Sequence, residues 1–478
     1  MLFNSIEFAL FLPIVWIAYW ALRGHLRLQN LLVVVASYFF YGWWDWRFLV
    51  LIAFTSAWSY VVGLVELRRW EEKPSKALLT MSLVVNLGIL GYFKYYNFFL
   101  DSAVSLLKTV GLEPNVSSLQ IVLPVGISFY TFQALSYTID VYRRAMRPTR
   151  DPFAFFAFIS FFPQLVAGPI ERATNLLPQF LGERRFDYAE AVSGCRQMLW
   201  GFFKKMVVAD NCAVVVNQYL NNGRMDNGLM VLCCAFLFSI QIYGDFSGYS
   251  DIAIGCSRLF GIRLMRNFAF PYFARDIAEF WRRWHISLTT WFRDYLYIPL
   301  GGSRCSKAKM VRNTFAIFLV SGLWHGANWT FVAWGAFHAV LFLPLLLGGR
   351  NRKYLTGIAE DRWYPTLPEV GMMLKTFLLA MAGWLVFRAT SIADAGRWLC
   401  DVFNFASYGL DDAFPHAGRV VFPMIGLMFA CEWLNRREQF GFARYPRWTA
   451  LRWLLYFVLT LLIFMYAPGS QTFIYFQF

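Results

Sequence analysis

Long apolar runs separated by short polar connections extend along most of the chain. An apolar helix of roughly 18–20 residues is long enough to cross a bilayer. Candidate spans lie at residues 5–22, 28–44, 48–67, 77–99, 117–140, 190–220, 229–256, 313–330, 331–347, 371–388, 418–434 and 451–468. This pattern predicts an all-α polytopic integral membrane protein with about 11–12 transmembrane helices.

The apolar run at 152–172 differs from the candidate spans because Pro163, Gly168 and Pro169 interrupt it. Proline breaks helical hydrogen bonding, and irregular backbone at membrane depth is tolerated only where protein or water surrounds it. We therefore expect a re-entrant or interfacial segment here.

Basic residues recur in every second connection between spans. The clusters lie at 23–27, 68–76, 143–150, 350–353 and 436–452. Because cytoplasmic connections carry an excess of lysine and arginine, these clusters mark the cytoplasmic side. The N-terminus is then expected on the extracytoplasmic side of a bacterial inner membrane.

Composition supports this assignment and narrows the function. Hydrophobic residues make up 58% of the 478 residues and charged residues only 15%, which excludes an ordinary soluble domain. The net charge of +15 is spread over short connections, which argues against nucleic-acid binding. The eight cysteines form no metal-binding spacing. We expect one membrane-embedded domain over 1–478, with no metal site.

His325 lies between two glycines in the apolar stretch SGLWHGANWTF. A helix starting at Asn313 would rise about 18 Å before reaching His325, which places the imidazole inside a hydrocarbon core of about 30 Å. Ionisable residues at that depth usually line a water-filled cavity or a bundle interior, and function is the default hypothesis. Gly322 and Gly326 form a G-x-x-x-G face, and Asn328 is expected on the face of His325. The alternative is that His325 is a polar contact between helices.

His285 lies in the unusual segment WRRWHISLTTWF. The bulky positions of this segment follow helical spacing on one face: Trp281, Trp284, His285, Leu288 and Phe292. We predict an amphipathic helix near the cytoplasmic interface, with His285 turned inward. An aromatic-belt helix whose histidine lies at headgroup level is an equally good interpretation of this segment alone.

Two inward histidines suggest proton transfer. An imidazole can remove a proton from a hydroxyl as an acyl group is transferred to it, and a buried site keeps water from the activated acyl donor. The chain contains no G-x-S-x-G elbow, Walker loop, H-E-x-x-H motif or dinucleotide fingerprint. None of its histidines is followed by aspartate at the fifth position, as H-x-x-x-x-D acyltransferases require.

The stretches WRRWHISLTTWFRDYLYIPLGG and SGLWHGANWTFVAWGAFH resemble the signature region of the membrane-bound O-acyltransferases, here 275–340. The stretches YGDFSGYSDIAIG, FKYYNFF and LFNSIEFALFLPIVWIAYW also resemble the bacterial alginate O-acetyltransferase branch. The resemblance covers nearly the whole chain. It implies a helical bundle around a central passage, with an acyl donor entering from the cytoplasm and an acceptor hydroxyl from the opposite side.

The resemblance also implies roles for individual residues. His325 matches the essential histidine of the family, and His285 matches a second position that is histidine in this branch. Asp294, Trp324 and Asn328 are motif neighbours to which we assign supporting roles. We expect His325 to be the general base, and His285 to orient the thioester or share the proton.

The expected reaction moves acetyl groups from a cytoplasmic donor, acetyl-CoA, to a cell-envelope polysaccharide or to an exported partner protein. No permanently bound cofactor is expected, and membrane lipid surrounds the protein. The basic face of Arg282, Arg283 and Arg293 would attract the donor phosphates, although positive-inside topology alone explains it equally well. An acyl-carrier protein, as in the D-alanine-transferring relatives, is an alternative donor.

Two other classes of protein remain open. A polysaccharide or lipid transporter would use Asp245, Asp251, His285 and His325 to line a transport path. Transporters often contain inverted repeats, which this sequence does not show. An assembly scaffold for envelope enzymes leaves the position of His325 unexplained.

Overall fold

The computed structural model describes residues 1–114, 116, 119–166, 168–220, 227–409, 416–444 and 446–467. Every regular element in these ranges is helical, which confirms the predicted all-α class. The described chain divides into two compact units. One comprises Met1–Tyr188 with the short segments Ser257–Leu264 and Gly326–Asn328, and the other comprises Ala189–Cys256, Met265–His325 and Trp329–Phe478. The single domain over 1–478 stays a prediction.

The first unit consists mainly of nine helices among its described residues. They are α1 (Ile6–Ala21), α2 (Leu26–Gly42), α3 (Leu49–Arg68), α4 (Lys76–Leu90), α5 (Tyr96–Thr109), α6 (Ile127–Tyr142), α7 (Pro152–Ser160), α8 (Phe162–Leu165) and α9 (Ala173–Leu181). A π-helical turn at Gly91–Tyr95 joins α4 to α5. The short α7 and α8 replace a single long helix here, and the re-entrant or interfacial placement of 152–172 stays a prediction.

The second unit contains the predicted signature region except Gly326–Asn328. Its helices are α10 (Tyr188–Phe202), α11 (Asp210–Leu220), α12 (Gly228–Leu259), α13 (Ile277–Arg283), α14 (Ile286–Phe292), α15 (Lys307–His325), α16 (Trp329–Leu347), α17 (Leu367–Arg388), α18 (Ile392–Asp401), α19 (His416–Leu434) and α20 (Thr449–Tyr466). π-Helical turns at Phe203–Ala209 and Arg293–Tyr297 follow α10 and α14.

Six helical stretches in the described ranges are long and apolar enough to cross a membrane. They are Trp46–Arg68, Lys76–Thr109, Gly228–Leu259, Trp329–Leu347, Leu367–Arg388 and Thr449–Tyr466. Shorter apolar helices occupy Ile6–Ala21, Pro152–Leu165 and Val420–Leu434. The chain is therefore a multi-pass membrane protein, whereas the larger number of crossings stays a prediction.

Apolar side chains on several helices are exposed in a way that suits lipid. On α1, Leu10, Ile14 and Ile17 are each more than half exposed, and on α20 the same holds for Phe457 and Phe464. Contiguous apolar surface of this kind is unfavourable in water and marks a membrane-facing or protein-facing surface. These helices therefore present apolar faces suited to the hydrocarbon core.

The hairpin of α15 and α16 positions His325. A Cβ at Gly322 would lie 2.2 Å from the Phe331 carbonyl oxygen, and one at Gly335 would lie 2.3 Å from the Phe318 carbonyl oxygen. The two glycines therefore let the backbones touch at two points, as small residues do between membrane helices. This approach fixes the end of α15, where His325 is the last helical residue.

Candidate active site

The predicted continuous helix through His285 is wrong. The backbone leaves α13 at Trp284, and His285 has φ of 44°, a left-handed conformation that is uncommon for residues other than glycine. A new helix, α14, starts at Ile286. His285 therefore lies at a sharp break between two short helices, although it is buried as predicted.

Asn267 supports this break from a distant part of the sequence. Its carbonyl oxygen accepts a hydrogen bond from the Ile286 amide at 2.8 Å, and its side-chain oxygen accepts from the Ser287 amide at 3.3 Å. The first amides of a helix have no partner within the helix, so Asn267 supplies a cap that the local sequence does not. Its Oδ1 also lies 3.1 Å from His285 Nδ1.

His325 is buried among aromatic rings at the end of α15. Its ring centroid lies 5.1 Å from that of Trp334 and 5.5 Å from that of Phe387, both nearly perpendicular. The expectation that Asn328 shares a helical face with His325 is wrong, because the helix ends at His325. Asn328 lies, half-buried, in the turn before α16.

The two histidines lie close together in the second unit. Their ring centroids are 6.4 Å apart. Trp324 packs against both, with its ring 5.1 Å from His325 and 5.9 Å from His285. A small group placed between the imidazoles could therefore contact both of them.

A cavity of about 300 Å³ connects the histidines with the surface of this unit. Its wall includes the buried His285 and His325, apolar side chains such as Phe318 and Leu346, and the exposed Arg293 and Arg352. A group that enters past the arginines therefore has access to both imidazoles.

The predicted basic residues have different surroundings. Arg282 and Arg293 contribute to the cavity wall, whereas Arg283 donates to the carboxylate of Glu279 at 2.7 Å. Arg282 also donates to the carbonyl oxygens of Asn351 and Tyr354, which fastens the connection after α16. Only part of the predicted basic face is thus available to a ligand.

Asp294 forms an ion pair with Arg293, with Oδ1 2.6 Å from Nε. The hydrogen bond that Arg293 donates to this neighbouring carboxylate raises the pKa of Arg293, which keeps the guanidinium charged at the cavity mouth. Asp294 therefore fixes the Arg293 guanidinium, and its supporting role in the reaction stays a prediction.

Asp245 and Asp251, the carboxylates of the transporter alternative, are bound to lysines. Asp251 Oδ2 lies 2.6 Å from Lys204 Nζ, and Asp245 Oδ1 lies 2.7 Å from Lys205 Nζ. Both adjacent lysines lie in the π-helical turn at Phe203–Ala209 and are buried. In the described part of the chain, neither carboxylate contributes to the wall of the histidine cavity.

Sequence reasoning missed several residues that shape the site. Asn267 lies in an ordinary loop with no motif, and the sequence pattern places Arg352 only in a basic cluster on the cytoplasmic side. The buried lysines Lys204 and Lys205 were a detectable signal, because adjacent charges inside an apolar run need partners.

An all-helical membrane protein with paired buried histidines at a cavity belongs to a recognisable class. The sequence model of MBOAT, the membrane-bound O-acyltransferase family, matches residues 77–380. The chain belongs to this family, which confirms the prediction made from the histidine motifs.

Relatives agree with the family assignment. The chain is 42% identical over 415 residues to the "Probable alginate O-acetylase AlgI" of Pseudomonas putida, covering 86% of this chain and 82% of the relative. It is 34% identical over 426 residues to the peptidoglycan O-acetyltransferase of Helicobacter pylori, covering 83% and 78%. The teichoic acid D-alanyltransferase of Streptococcus thermophilus is 28% identical over 316 residues, covering 61% and 75%. The predicted O-acetyltransferase class is confirmed.

Proposed function

We propose that the protein transfers acetyl groups from acetyl-CoA on the cytoplasmic side of a bacterial inner membrane to a hydroxyl of a cell-envelope polysaccharide, directly or through an exported partner. The observation that carries this proposal is the cavity that has His285 and His325 in its wall together with surface arginines. The more similar relatives are named for O-acetylation, and the less similar one for D-alanyl transfer.

The donor end of the cavity suits a thioester on a phosphopantetheine arm. Apolar walls can hold a flexible, largely uncharged arm, while Arg293 and Arg352 lie where phosphates would remain near water. Acetyl-CoA and an acyl-carrier protein both present such an arm. We choose acetyl-CoA because its additional phosphates suit two arginines at the mouth.

The proposed reaction conserves every atom of the two substrates. The base His325 takes the hydroxyl proton as the acceptor oxygen forms a bond to the thioester carbonyl carbon. The carbon–sulfur bond then breaks, the thiolate leaves, and the proton returns to that sulfur to give free thiol. Asp294 and Trp324 hold the surrounding groups, and a water-poor cavity limits hydrolysis of the donor.

The orientation of the chain follows from the same proposal. The mouth residues Arg293 and Arg352 belong to connections that the distribution of basic residues places in the cytoplasm. The N-terminus then lies on the extracytoplasmic side, and a polysaccharide or partner would approach from there.

The test is His325→Ala in purified protein and in cells. Because a positioned general base contributes roughly 100-fold or more to rate, we expect acetyl transfer to fall by at least that factor. Membrane insertion and abundance should match wild type, which membrane fractionation and immunoblotting would show. Wild-type acetylation in this variant would remove the proposed role of His325.

A second experiment identifies the donor. Purified wild-type protein is supplied with radiolabelled acetyl-CoA or with an acetylated carrier protein, and the appearance of free thiol is measured. Turnover with acetyl-CoA supports the proposal. Turnover only with the carrier overturns the choice of donor but leaves the acyltransfer chemistry intact.

A further inference from the structure

The side chain of Asn267 is the centre of a buried hydrogen-bond cluster next to His285. Its Oδ1 lies 3.1 Å from His285 Nδ1, 2.9 Å from Ser287 Oγ and 3.3 Å from the Ser287 amide nitrogen. Its Nδ2 donates to Ser250 Oγ at 3.1 Å. Asn267, Ser287 and His285 are all almost fully buried, so water does not compete for these bonds.

These contacts determine which ring nitrogen of His285 carries the proton. A backbone amide can only donate, so the Asn267 atom facing the Ser287 amide must be the oxygen. An amide oxygen can only accept, so His285 Nδ1, 3.1 Å away, donates to it. The Ser287 hydroxyl lies 3.5 Å from Nδ1 but donates to the same Asn267 oxygen at the shorter distance of 2.9 Å. A neutral imidazole carries one proton, and Nε2 is then left with its lone pair.

The surroundings of His285 favour the neutral ring. Phe246 packs edge-on against it with a centroid separation of 4.5 Å, and Phe268 and Trp324 pack nearby. His285 lies between α13 and α14, outside the candidate spans, and burial lowers the pKa of its imidazole well below the usual value. In the described part of the chain, Nε2 has no hydrogen-bond partner.

We propose that Asn267 is a positioning residue that holds His285 in the Nδ1-protonated tautomer, so that Nε2 meets the substrates as a proton acceptor. This inference rests on the proposed acyl transfer. It also decides between the two roles considered for His285. Orienting the thioester carbonyl would require a donor at Nε2, whereas sharing the hydroxyl proton requires an acceptor.

The strained backbone at His285 supports the same conclusion. A residue other than glycine is strained in the left-handed conformation, which persists only where its surroundings enforce it. Asn267 enforces it with three contacts to residues 286 and 287: carbonyl oxygen to the Ile286 amide, and Oδ1 to the amide and hydroxyl of Ser287. One residue therefore fixes both the backbone and the tautomer.

Charged and titratable groups lie on both sides of this cluster. The cavity that includes His285 is also lined by His325, Tyr297 and three arginines, Arg282, Arg293 and Arg352. The small polar cavity that includes Asn267 and Ser250 is lined by Lys204, Asp251, Arg266 and Tyr243. A change of pH that alters these groups would also act on His285, so the test needs a signal from the ring itself.

The direct test is nitrogen NMR of protein labelled with ¹⁵N in the histidine rings and reconstituted in lipid nanodiscs. The His285 signals are assigned by their loss in His285→Gln. We expect a protonated Nδ1 and an unprotonated Nε2 in wild type, and a mixture of tautomers in Asn267→Ala. A protonated Nε2 in wild type, or an unchanged pattern in Asn267→Ala, would overturn the proposal.

Kinetic measurements on Asn267 variants distinguish a loss of His285 orientation from a loss of folding. Asn267→Ala should lower kcat by about tenfold or more, because the imidazole loses the partner that orients it, with little change in KM for acetyl-CoA. Asn267→Asp keeps an oxygen acceptor for Nδ1 and should recover much of kcat. Its carboxylate also stabilises the imidazolium, so the acidic limb of the pH–rate profile should move to higher pH. Equal kcat loss with no shift of this limb in Asn267→Asp would contradict the proposal.

Asn30→Ala is the matched control. Asn30 is a buried amide of the first unit that donates to the Phe180 carbonyl oxygen at 2.8 Å and accepts from Arg184 at 2.7 Å. It should lower thermal stability to a similar extent while leaving the His285 signals and the pH profile unchanged. If His285→Gln transfers acetyl groups at the wild-type rate, the proposed role of His285 in acyl transfer fails. The NMR spectrum of the wild-type protein still shows which tautomer His285 adopts.

Discussion

Among the residues of the second unit whose burial is described, three histidines are buried, and their rings have different surroundings. His285 and His325 contribute to the cavity wall, whereas His338 does not. The His338 ring is surrounded by aromatic side chains, with centroids of Trp281 at 5.0 Å and Trp334 at 5.1 Å. Neither ring nitrogen of His338 has a hydrogen-bond partner among the described residues. His338 therefore packs against aromatic rings without a hydrogen bond from the described residues.

His338→Leu is a residue-scale test of this distinction. Leucine is of similar size and brings no unpaired nitrogen, so we expect unfolding stability to stay equal or to rise by about 1 kcal/mol. Acetyl transfer should stay within about twofold of wild type, since the general-base contribution of roughly 100-fold belongs to the cavity histidines. Thermal unfolding in detergent and a turnover assay measure both.

His338→Ala is the accompanying control, because it leaves a cavity in the same aromatic cluster and should destabilise by about 2–5 kcal/mol. A large loss of turnover in a stable His338→Leu protein would instead show that His338 carries protons. The three buried histidines would then form one relay.

At the scale of elements, the spans were predictable and the break at His285 was not. Hydrophobic runs predicted α2, α3, α12, α16 and α17 within a few residues, because a membrane helix must satisfy its own backbone. The break was not predicted because the bulky residues from Trp281 to Phe292 keep helical spacing across it. The cap that interrupts the helix comes from Asn267, 18 residues before His285 in the chain.

Helix α6 is a second case in which hydrophobicity along the sequence does not predict where a helix begins. The candidate span began at residue 117, whereas the helix begins at Ile127. Gly126 has φ of 73°, and a Cβ there would lie 2.7 Å from the Leu165 carbonyl oxygen. Such an approach between distant backbones leaves no trace in hydropathy, although a glycine next to Val125 and Pro124 hints at a turn.

The α15–α16 hairpin yields a prediction at this scale. Gly322→Ala and Gly335→Ala each place a methyl group against a carbonyl oxygen of the facing helix, so the helices must move apart. We expect each substitution to destabilise by about 1–3 kcal/mol, as overpacking does. Turnover should fall as well, because the displaced α15 carries His325 at its end.

Gly371→Ala provides the control for this pair. Gly371 lies within α17, and nothing lies within 4 Å of a Cβ built there. Because alanine favours helices over glycine, this variant should be neutral or more stable by up to about 1 kcal/mol. Thermal unfolding of the three variants side by side would measure the difference. Equal melting temperatures for all three would contradict close packing of α15 and α16.

For the whole molecule, the distribution of charge separates buried ion pairs from exposed basic residues at the cavity. Lys204, Lys205 and their carboxylate partners are buried, so their charges compensate one another inside the second unit. Arg293 and Arg352 are exposed, and both contribute to the wall of the histidine cavity. The net charge of +15 can be counted from the sequence. The sequence does not show which charges are paired and buried, because the paired residues are far apart in the chain.

The double variant Arg293→Ala with Arg352→Ala tests whether the exposed arginines recruit the donor. Surface charges at a cleft mouth attract an anionic ligand without taking part in its chemistry, and salt screens them over about 10 Å at 0.1 M. We expect KM for acetyl-CoA to rise by about thirtyfold at low salt with kcat nearly unchanged, since each of the two lost phosphate contacts costs about 1 kcal/mol. The difference from wild type should shrink as salt is added.

Arg304→Ala is the control. Arg304 is an exposed arginine of the same basic region that does not contribute to the described cavity wall, so this variant should behave like wild type. If the double variant and Arg304→Ala give the same KM and the same salt dependence, the basic residues serve membrane topology alone, and the phosphates of the donor are bound elsewhere.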